Sequence, residues 1–451
     1  MRPKPPATAT TSVRPSPGIE AAPAITPNLV RRKEIPGAGR VGRNTLETLL
    51  FRGISTPVAF ALVVIQSRFL DPEGRGRFVL VVLSVTILAR LFGQLGVAVT
   101  SLAHEGELGP LVARALVATC LLGVGGAGLV LLAGATIDAF GLRLAAIAAP
   151  ALLPNILNAC LSGVLLGRAR IRLWNYIQVL PPLLTLAGML IVVVWLGRGV
   201  DAAVGVWTLA YWLTAVFALL AARDLWLPLR LPPVLDRFGR AIVRLGFGMG
   251  AVQIVNLIGY RVELFVLEHF KGLAQVGIYS IAMQAAEAIW LIPAAVASAV
   301  TGPTVHETPA GAARLIRNAT GKGLLYTAGI ALAVGAVAPF VIPPLFGDEF
   351  RGATRSMALL LPGVVAYAPV TILVVFLSIR CGRPRLSLLV SAVGLVVTAA
   401  MSFVLIPPYG ASGAAAASSI GYAAGGITAW ICFVQLSDLT MFGRLARVSA
   451  S

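Results

Sequence analysis

Apolar and polar positions fall along this chain in long blocks, with twelve apolar stretches separated by short polar gaps. The stretches cover residues 46–66, 78–102, 110–136, 144–166, 171–196, 203–222, 245–267, 276–301, 324–346, 357–379, 386–406 and 411–436. A bilayer core about 30 Å thick is crossed by about 20 helical residues, so each stretch is long enough to span. Strands are disfavoured, because an open sheet edge in lipid leaves backbone N–H and C=O groups unpaired. The pattern predicts an all-α polytopic membrane protein of about twelve transmembrane helices.

Composition agrees. Of 451 residues, 58% are hydrophobic and 12% charged, with a mean hydropathy of +0.88. A soluble domain keeps about a quarter of its residues charged, because its surface faces water. The net charge of +18 would suggest nucleic acid in a soluble protein. Here the cations sit in the gaps: of 36 Lys and Arg, 24 fall in the tails and even-numbered gaps (Arg172, at the edge of the fifth stretch, counted with the gap before it), 8 in odd-numbered gaps and 4 in helices. That bias is an orientation signal rather than a nucleic-acid footprint, and it predicts cytosolic termini in the cell inner membrane. An odd helix count would break the alternation.

The gaps also suggest domains. Residues 1–44, rich in Pro, Ala, Thr and Arg, predict a disordered basic cytosolic tail. A six-helix N-terminal lobe over 45–222, a basic linker over 223–244, a six-helix C-terminal lobe over 245–436 and a cytosolic tail over 437–451 follow. A faint repeat links the lobes. Between helices one and two the chain reads Arg75-Gly76-Arg77-Phe78, and between seven and eight Val276-Gly277-Ile278-Tyr279, so Gly76 and Gly277 align. His104-Glu105 and His306-Glu307 close the paired helices at nearly the same offset. Equal orientation of two six-helix halves implies a parallel repeat about an axis along the membrane normal.

Candidate chemistry lies in the ionisable residues far from helix ends. An Arg at mid-helix costs about 2.5–3.5 kcal/mol on insertion scales, so such residues face a cavity or a partner. Helix one carries Arg52 with Ser55, Thr56 and Gln66; helix two carries Thr86, Arg90, Gln94 and Ser101. Helix seven carries Gln253, Asn256, Tyr260 and Glu263, with Arg261 on the flank, and helix eight Tyr279, Met283, Glu287 and Trp290. Spacings of three and four put such residues on one helical face, so four polar stripes should meet at a shared cavity. By rise along the helix, Arg52 belongs to the cytosolic third, Arg90 and Glu287 to the middle, and Arg261 to the outer part. Guanidinium groups at several depths suit a phosphorylated head group, because the planar fork binds oxygens bidentately and stays charged when desolvated.

The same residues admit plainer readings. Glu263 or Glu287 can neutralise Arg261 or Arg90 in a structural pair. Arg52 and Arg114 can snorkel to the interface. Tyr279 and Trp290 read equally as packing aromatics. Asn155, Asn158 and Ser162, behind Pro150 and Pro154, read as interhelical hydrogen bonding more than as cavity wall. Gly123-Val124-Gly125-Gly126-Ala127-Gly128 matches a dinucleotide pattern, but inside an apolar run it reads as close helix packing. Gly321-Lys322-Gly323 lacks the remainder of a Walker sequence. The four cysteines lie in apolar runs and the three histidines are scattered, so no metal, cofactor or disulfide is expected.

The stretch Asn256-Leu257-Ile258-Gly259-Tyr260-Arg261-Val262-Glu263-Leu264-Phe265, with Gly277-Ile278-Tyr279-Ser280-Ile281-Ala282 and Glu287-Ala288-Ile289-Trp290, resembles the polysaccharide-unit flippases. These are the O-antigen and exopolysaccharide translocases of the multidrug/oligosaccharidyl-lipid/polysaccharide exporter superfamily. The resemblance is clearest over 245–303. It extends over 44–436 through the helix layout and Tyr409-Gly410-Ala411-Ser412-Gly413-Ala414. It implies two six-helix lobes forming a V around a cavity lined by helices one, two, seven and eight. It also implies alternating-access transport of an undecaprenyl-diphosphate-linked oligosaccharide for lipopolysaccharide or exopolysaccharide synthesis. Glycan polymerases, glycosyltransferases and membrane lipids would be partners, with no nucleic acid and no enzymatic step. Family members often have Asp where this chain has Glu263.

On this reading Arg52, Arg90, Arg261, Gln94, Asn256 and Tyr260 bind substrate in the cavity, while Glu263 and Glu287 tune charge or carry a coupling ion. The alternative is an ion-coupled multidrug or metabolite exporter of the same superfamily. A glycan polymerase or ligase is disfavoured, since the longest odd-numbered gap is too short to hold a catalytic loop.

Overall fold

The computed structural model describes residues 38–136, 141–227 and 236–437, and every regular element among them is helical. The tails before 38 and after 437, and linker residues 228–235, lie outside the described residues. The described residues from 46 to 437 form one compact unit.

Twelve helical spans follow in order. They are α1 (Ala38–Phe69), α2 (Asp71–Leu102), α3 (Leu108–Thr136), α4 (Leu142–Gly167), α5 (Ile171–Trp195) and α6 (Val200–Ala221). Next come α7 (Arg237–Gly259, continued by Val262–Lys271), α8 (Leu273–His306), α9 (Pro309–Phe346) and α10 (Asp348–Arg380). The segment Pro384–Ser437 is two helices, because Gly410 takes φ 56° and ψ −131° within it; α11 covers 384–409 and α12 covers 411–437. Ten segments are long and apolar enough to cross a membrane when Pro384–Ser437 counts once, and Gly53–Phe69 of α1 is a shorter apolar helix. Splitting the last segment and adding α1 gives the twelve expected. Large apolar side chains such as Trp195, Leu332 and Phe340 are more than three-quarters exposed. That surface suits lipid rather than water as its solvent.

Some boundaries differ from expectation. Helix α1 begins at Ala38, inside the stretch expected as tail. Helix α7 begins at Arg237 rather than 245, because the Asp236 side chain accepts a hydrogen bond from Gly239 N at 2.7 Å and caps the helix. Asp236 also accepts from Arg114 Nε at 3.0 Å, and Arg114 lies 5.8 Å from the Phe238 ring centroid. Arg114 is therefore a tie between α3 and α7 rather than a snorkelling side chain. Its guanidinium holds the Asp236 carboxyl below the usual carboxylate range.

Close crossings at glycines hold α2, one of them against α4, where a Cβ on Gly96 would fall 1.8 Å from Cys160 O. Near its start it packs on α8 so closely that a Cβ on Gly76 would fall 1.9 Å from Leu273 O, and one on Gly277 2.0 Å from Pro72 O. The two glycines that align in the sequence repeat thus face each other, and no larger residue fits at either. Farther along, the first part of α7 presses on α2, where a Cβ on Gly250 would fall 2.0 Å from Leu91 O. Between the crossings α2 lines a cavity.

Candidate functional site

Two breaks shape that cavity. Helix α2 is interrupted after Phe92 by Gly93 and Gln94, and α7 after Gly259 by Tyr260 and Arg261. Arg261 adopts φ −140°, ψ −4°. Its Nη1 donates to Tyr260 O at 2.8 Å, so a carbonyl at the break finds a donor in the neighbouring guanidinium. Irregular backbone at membrane depth is tolerated where it lines a cavity or is buried in protein. The sequence predicted a straight helix here, since Gly259 alone does not announce a break. The break puts Glu263 out of register with Gln253 and Asn256.

The cavity has two chambers sharing Thr86, Pro181, Pro182 and Tyr211. The first, of about 510 Å³, is walled by α1, α2, α5, α6, α7 and α8, with Gln66, Arg261, Met283 and Gln284 among its lining. The second, of about 400 Å³, is walled by α2, α4, α5 and α6, and holds Arg90, Gln94, Asn155, Asn158, Ser162 and Gln178. Of the four stripes, Gln66 of α1, Thr86, Arg90 and Gln94 of α2, Arg261 on the flank of α7 and Met283 of α8 line the chambers, while Gln253, Tyr260, Glu263, Tyr279, Glu287 and Trp290 do not, and α4, α5 and α6 contribute as much.

The structure sorts the candidates. Arg90 is exposed to the second chamber and makes no hydrogen bond or ion pair with any described residue. Thr86 and Gln94 line the same chamber, whereas Ser101, the fourth member of the stripe, does not line it and donates to Ala98 O at 2.8 Å. Arg261, in contrast, is bound bidentately: Nη1 to Glu287 Oε1 and Nη2 to Glu287 Oε2, both at 2.7 Å. Tyr422 OH donates to Glu287 Oε1 at 3.1 Å, and Met283 Sδ lies 3.3 Å from Arg261 Nη1. Arg261 and Glu287 therefore share one depth instead of the two expected, and together contribute no net charge. Glu263 is fully buried in the second part of α7, where its Oε1 accepts from Tyr279 OH at 3.1 Å and Tyr279 OH meets Ser418 Oγ at 3.0 Å. It lines neither chamber.

Tyr260 packs in a cluster with Trp290, Tyr367 and Tyr422, ring centroids 5.2–5.9 Å apart, with its OH bonded to Tyr367 OH. Trp290 Nε1 donates to Val364 O at 3.0 Å. The side chains of Arg52 and Asn256 lie outside the described residues. Asn155, Asn158 and Ser162, expected to join helices, do so only in part: Asn158 Nδ2 reaches Tyr211 O at 3.3 Å, yet all three line the Arg90 chamber.

One buried cation was absent from the candidate set. Arg75 is fully buried where α1, α2 and α8 meet, with Nε on Ser280 Oγ at 2.9 Å and Nη1 on Val63 O at 3.0 Å and Gln66 Oε1 at 3.3 Å. No carboxylate pairs with it among the described residues, and Nη2 has no partner. In sequence it stands between Glu73 and Arg77 in a polar gap, which gives no sign of burial. Tyr422 and Gln178 were missed as well; a lone Tyr among Gly, Ala and Ser in the last helix was the available hint.

Comparison with known proteins fixes the family. The sequence profile for "Polysaccharide biosynthesis protein" matches residues 41–308, more than half of the chain. The chain belongs to this polysaccharide biosynthesis family. No curated protein sequence matches significantly. Among solved structures, this family member is similar to the lipid II flippase MurJ in an inward closed conformation: TM-score 0.71, 12% identity, 87% of this chain and 90% of that one covered. It is similar to an inward-facing multidrug resistance MATE transporter of the MOP superfamily at TM-score 0.70 and 16% identity, covering 86% and 96%. A MOP superfamily transporter from Pyrococcus furiosus with a reversed polarity of its binding pocket matches at TM-score 0.59 and 17% identity, covering 89% and 96%. At such identities these matches establish a shared transporter fold, the architecture that the helix pattern and the resemblance implied.

Proposed function

We propose that this polysaccharide biosynthesis protein is a flippase. It carries undecaprenyl-diphosphate-linked oligosaccharide repeat units from the cytosolic to the outer leaflet of the inner membrane by alternating access, for cell-surface polysaccharide assembly. The observation that carries the reading is Arg90: an unpaired guanidinium among amide side chains, in a cavity of a helical membrane protein of this family. Leaving a cation unpaired there is costly unless an anion comes to it, and a diphosphate matches its fork. The basic gaps orient both termini to the cytosol. On that orientation Arg237, Arg240 and Arg244, which line a separate cavity of about 710 Å³ at the start of α7, meet a phosphorylated head group first. Arg52 and Asn256 contribute from α1 and α7, Glu287 tunes the charge of Arg261, and Glu263 is the group available for ion coupling.

The exporter alternative needs a cavity carboxylate for a cationic drug. Glu287 is committed to Arg261, and Glu263 lies outside both chambers. The test is Arg90→Ala in cells, with membrane insertion verified. Lipid-linked repeat units should accumulate and surface glycan fall by about tenfold or more, in line with loss of a charge-assisted contact. Arg90→Lys should recover part of it. Normal surface glycan from Arg90→Ala, or dye efflux by the wild type together with unchanged glycan in a deletion strain, would overturn the reading. Mass spectrometry of the accumulated unit separates lipopolysaccharide from exopolysaccharide precursors.

A further inference from the structure

The Arg90 chamber contains more than its cation. Helix α4 places Asn155, Asn158 and Ser162 at spacings of three and four, hence on one face. The two amides are fixed in orientation by what they bond. Asn155 Nδ2 donates to Ala151 O at 3.0 Å and Asn158 Nδ2 to Tyr211 O at 3.3 Å. A carbonyl only accepts, so the NH₂ end of each amide must face the backbone and the Oδ1 end is left over. Asn158 Oδ1 and Ser162 Oγ are both buried and without a partner, on residues 6% and 9% exposed. A buried polar atom left without a hydrogen bond costs about 1–3 kcal/mol; Asn158 Oδ1 needs a donor, and the Ser162 hydroxyl can both donate and accept.

A diphosphate can accept from the Ser162 hydroxyl but supplies no donor for Asn158 Oδ1. Its oxygens are acceptors, suited to Arg90 and repelled by the Asn oxygens. A cationic drug brings donors, but Arg90 repels it. Sugar hydroxyl groups supply donors without charge, and Gln94 and Gln178, neither of which makes a hydrogen bond with a described residue, offer both donors and acceptors opposite. Trp174 adds a flat apolar face to the same chamber.

We infer that the α4 wall of the Arg90 chamber is a subsite for a neutral, hydroxyl-rich sugar, the residue attached to the diphosphate, and that it sets which first sugar the protein accepts. The inference rests on the flippase reading. The phosphate sits at Arg90, and hydroxyl groups of the first sugar, directly or through one water, donate to Asn155 Oδ1, Asn158 Oδ1 and Ser162 Oγ. An acidic first sugar is disfavoured, because its carboxylate takes the place of a hydroxyl donor and sets a negative charge against the amide oxygens.

The test uses the full chain in nanodiscs and three probes: undecaprenyl diphosphate, its N-acetylglucosamine conjugate and its galacturonic acid conjugate. Wild type should bind the neutral conjugate about tenfold more tightly than the bare lipid diphosphate, the size expected of one or two hydrogen bonds, and the acidic conjugate no better than the bare lipid. Ser162→Ala and Asn155→Leu should each remove most of that preference and leave affinity for the bare lipid within about twofold, which also shows that the variants are folded. Equal wild-type affinity for neutral conjugate and bare lipid overturns the subsite, as does an equal loss on both probes in the variants. Tight binding of the acidic conjugate overturns its neutral character. Wild type binding none of the three overturns the flippase reading itself, whereas binding of the bare lipid without sugar preference overturns the subsite alone.

Discussion

Arg75 and Arg90 lie on one helix, about 22 Å apart by helical rise, and their surroundings are opposite. Arg75 is sealed between α1, α2 and α8, its charge met only by a serine hydroxyl, an amide oxygen and a carbonyl. Arg90 reaches into a cavity and touches no described polar partner. Arg261 stands between them in character: in the cavity wall, but neutralised by Glu287. Three arginines thus have three fates. What separates them is whether neighbouring helices close over the side chain, leave it open, or bring a carboxylate to it.

Breaking the closed crossing should have the largest effect. Gly76→Leu drives a side chain into the α8 backbone at Leu273 O. Overpacking costs about 1–3 kcal/mol where side chains can yield, and more against backbone that cannot. We expect little folded protein by size-exclusion chromatography in detergent, with Gly277→Leu equivalent; a monodisperse, wild-type-like Gly76→Leu would remove the crossing from the description.

Glu287→Gln turns Arg261 toward the condition of Arg90. Removing one member of a buried ion pair costs about 3–5 kcal/mol, and the residual exposure of both side chains, 21% and 14%, places this pair at the lower end. The melting temperature should fall, and Arg261→Met combined with Glu287→Gln should restore much of the loss. Failure of the double variant to recover would show that Glu287 acts through Tyr422 rather than through Arg261.

The smallest effect sharpens the contrast between the two α2 arginines. Arg75→Met keeps volume and removes a buried charge that has no carboxylate among the described residues, which relieves the desolvation of the guanidinium. It should raise or preserve the melting temperature, while Arg90→Met, at a cavity surface, should leave it nearly unchanged. A large destabilisation by Arg75→Met would mean that its three neutral hydrogen bonds outweigh the desolvation of the guanidinium.

Much of this was legible in the chain. The span count, the absence of strands, the α2 stripe of Thr86, Arg90 and Gln94, and the alignment of Gly76 with Gly277 follow from period, length and the cost of charge in lipid. These are properties of a residue and its near neighbours in sequence. The apolar runs overcounted nothing, even where Gly410 joins two helices into one continuous segment.

Tertiary structure decided the rest. The break at Tyr260 and Arg261 is fixed by packing around α7, and it turned Glu263 into the α7–α8–α12 interface while bringing Arg261 to Glu287, residues that the helical rise had placed at different depths. The amide wall of α4 became part of the cavity because α4 and α5 stand beside α2, which no spacing within α4 encodes. The burial of Arg75 is the clearest case. Its local sequence is that of a polar gap, and only the approach of two glycines on distant helices, each lacking a Cβ, closes protein around it. Sequence determines which groups lipid cannot solvate; the partner that solvates each of them, another helix, a carboxylate or a ligand, is set by which helices come together.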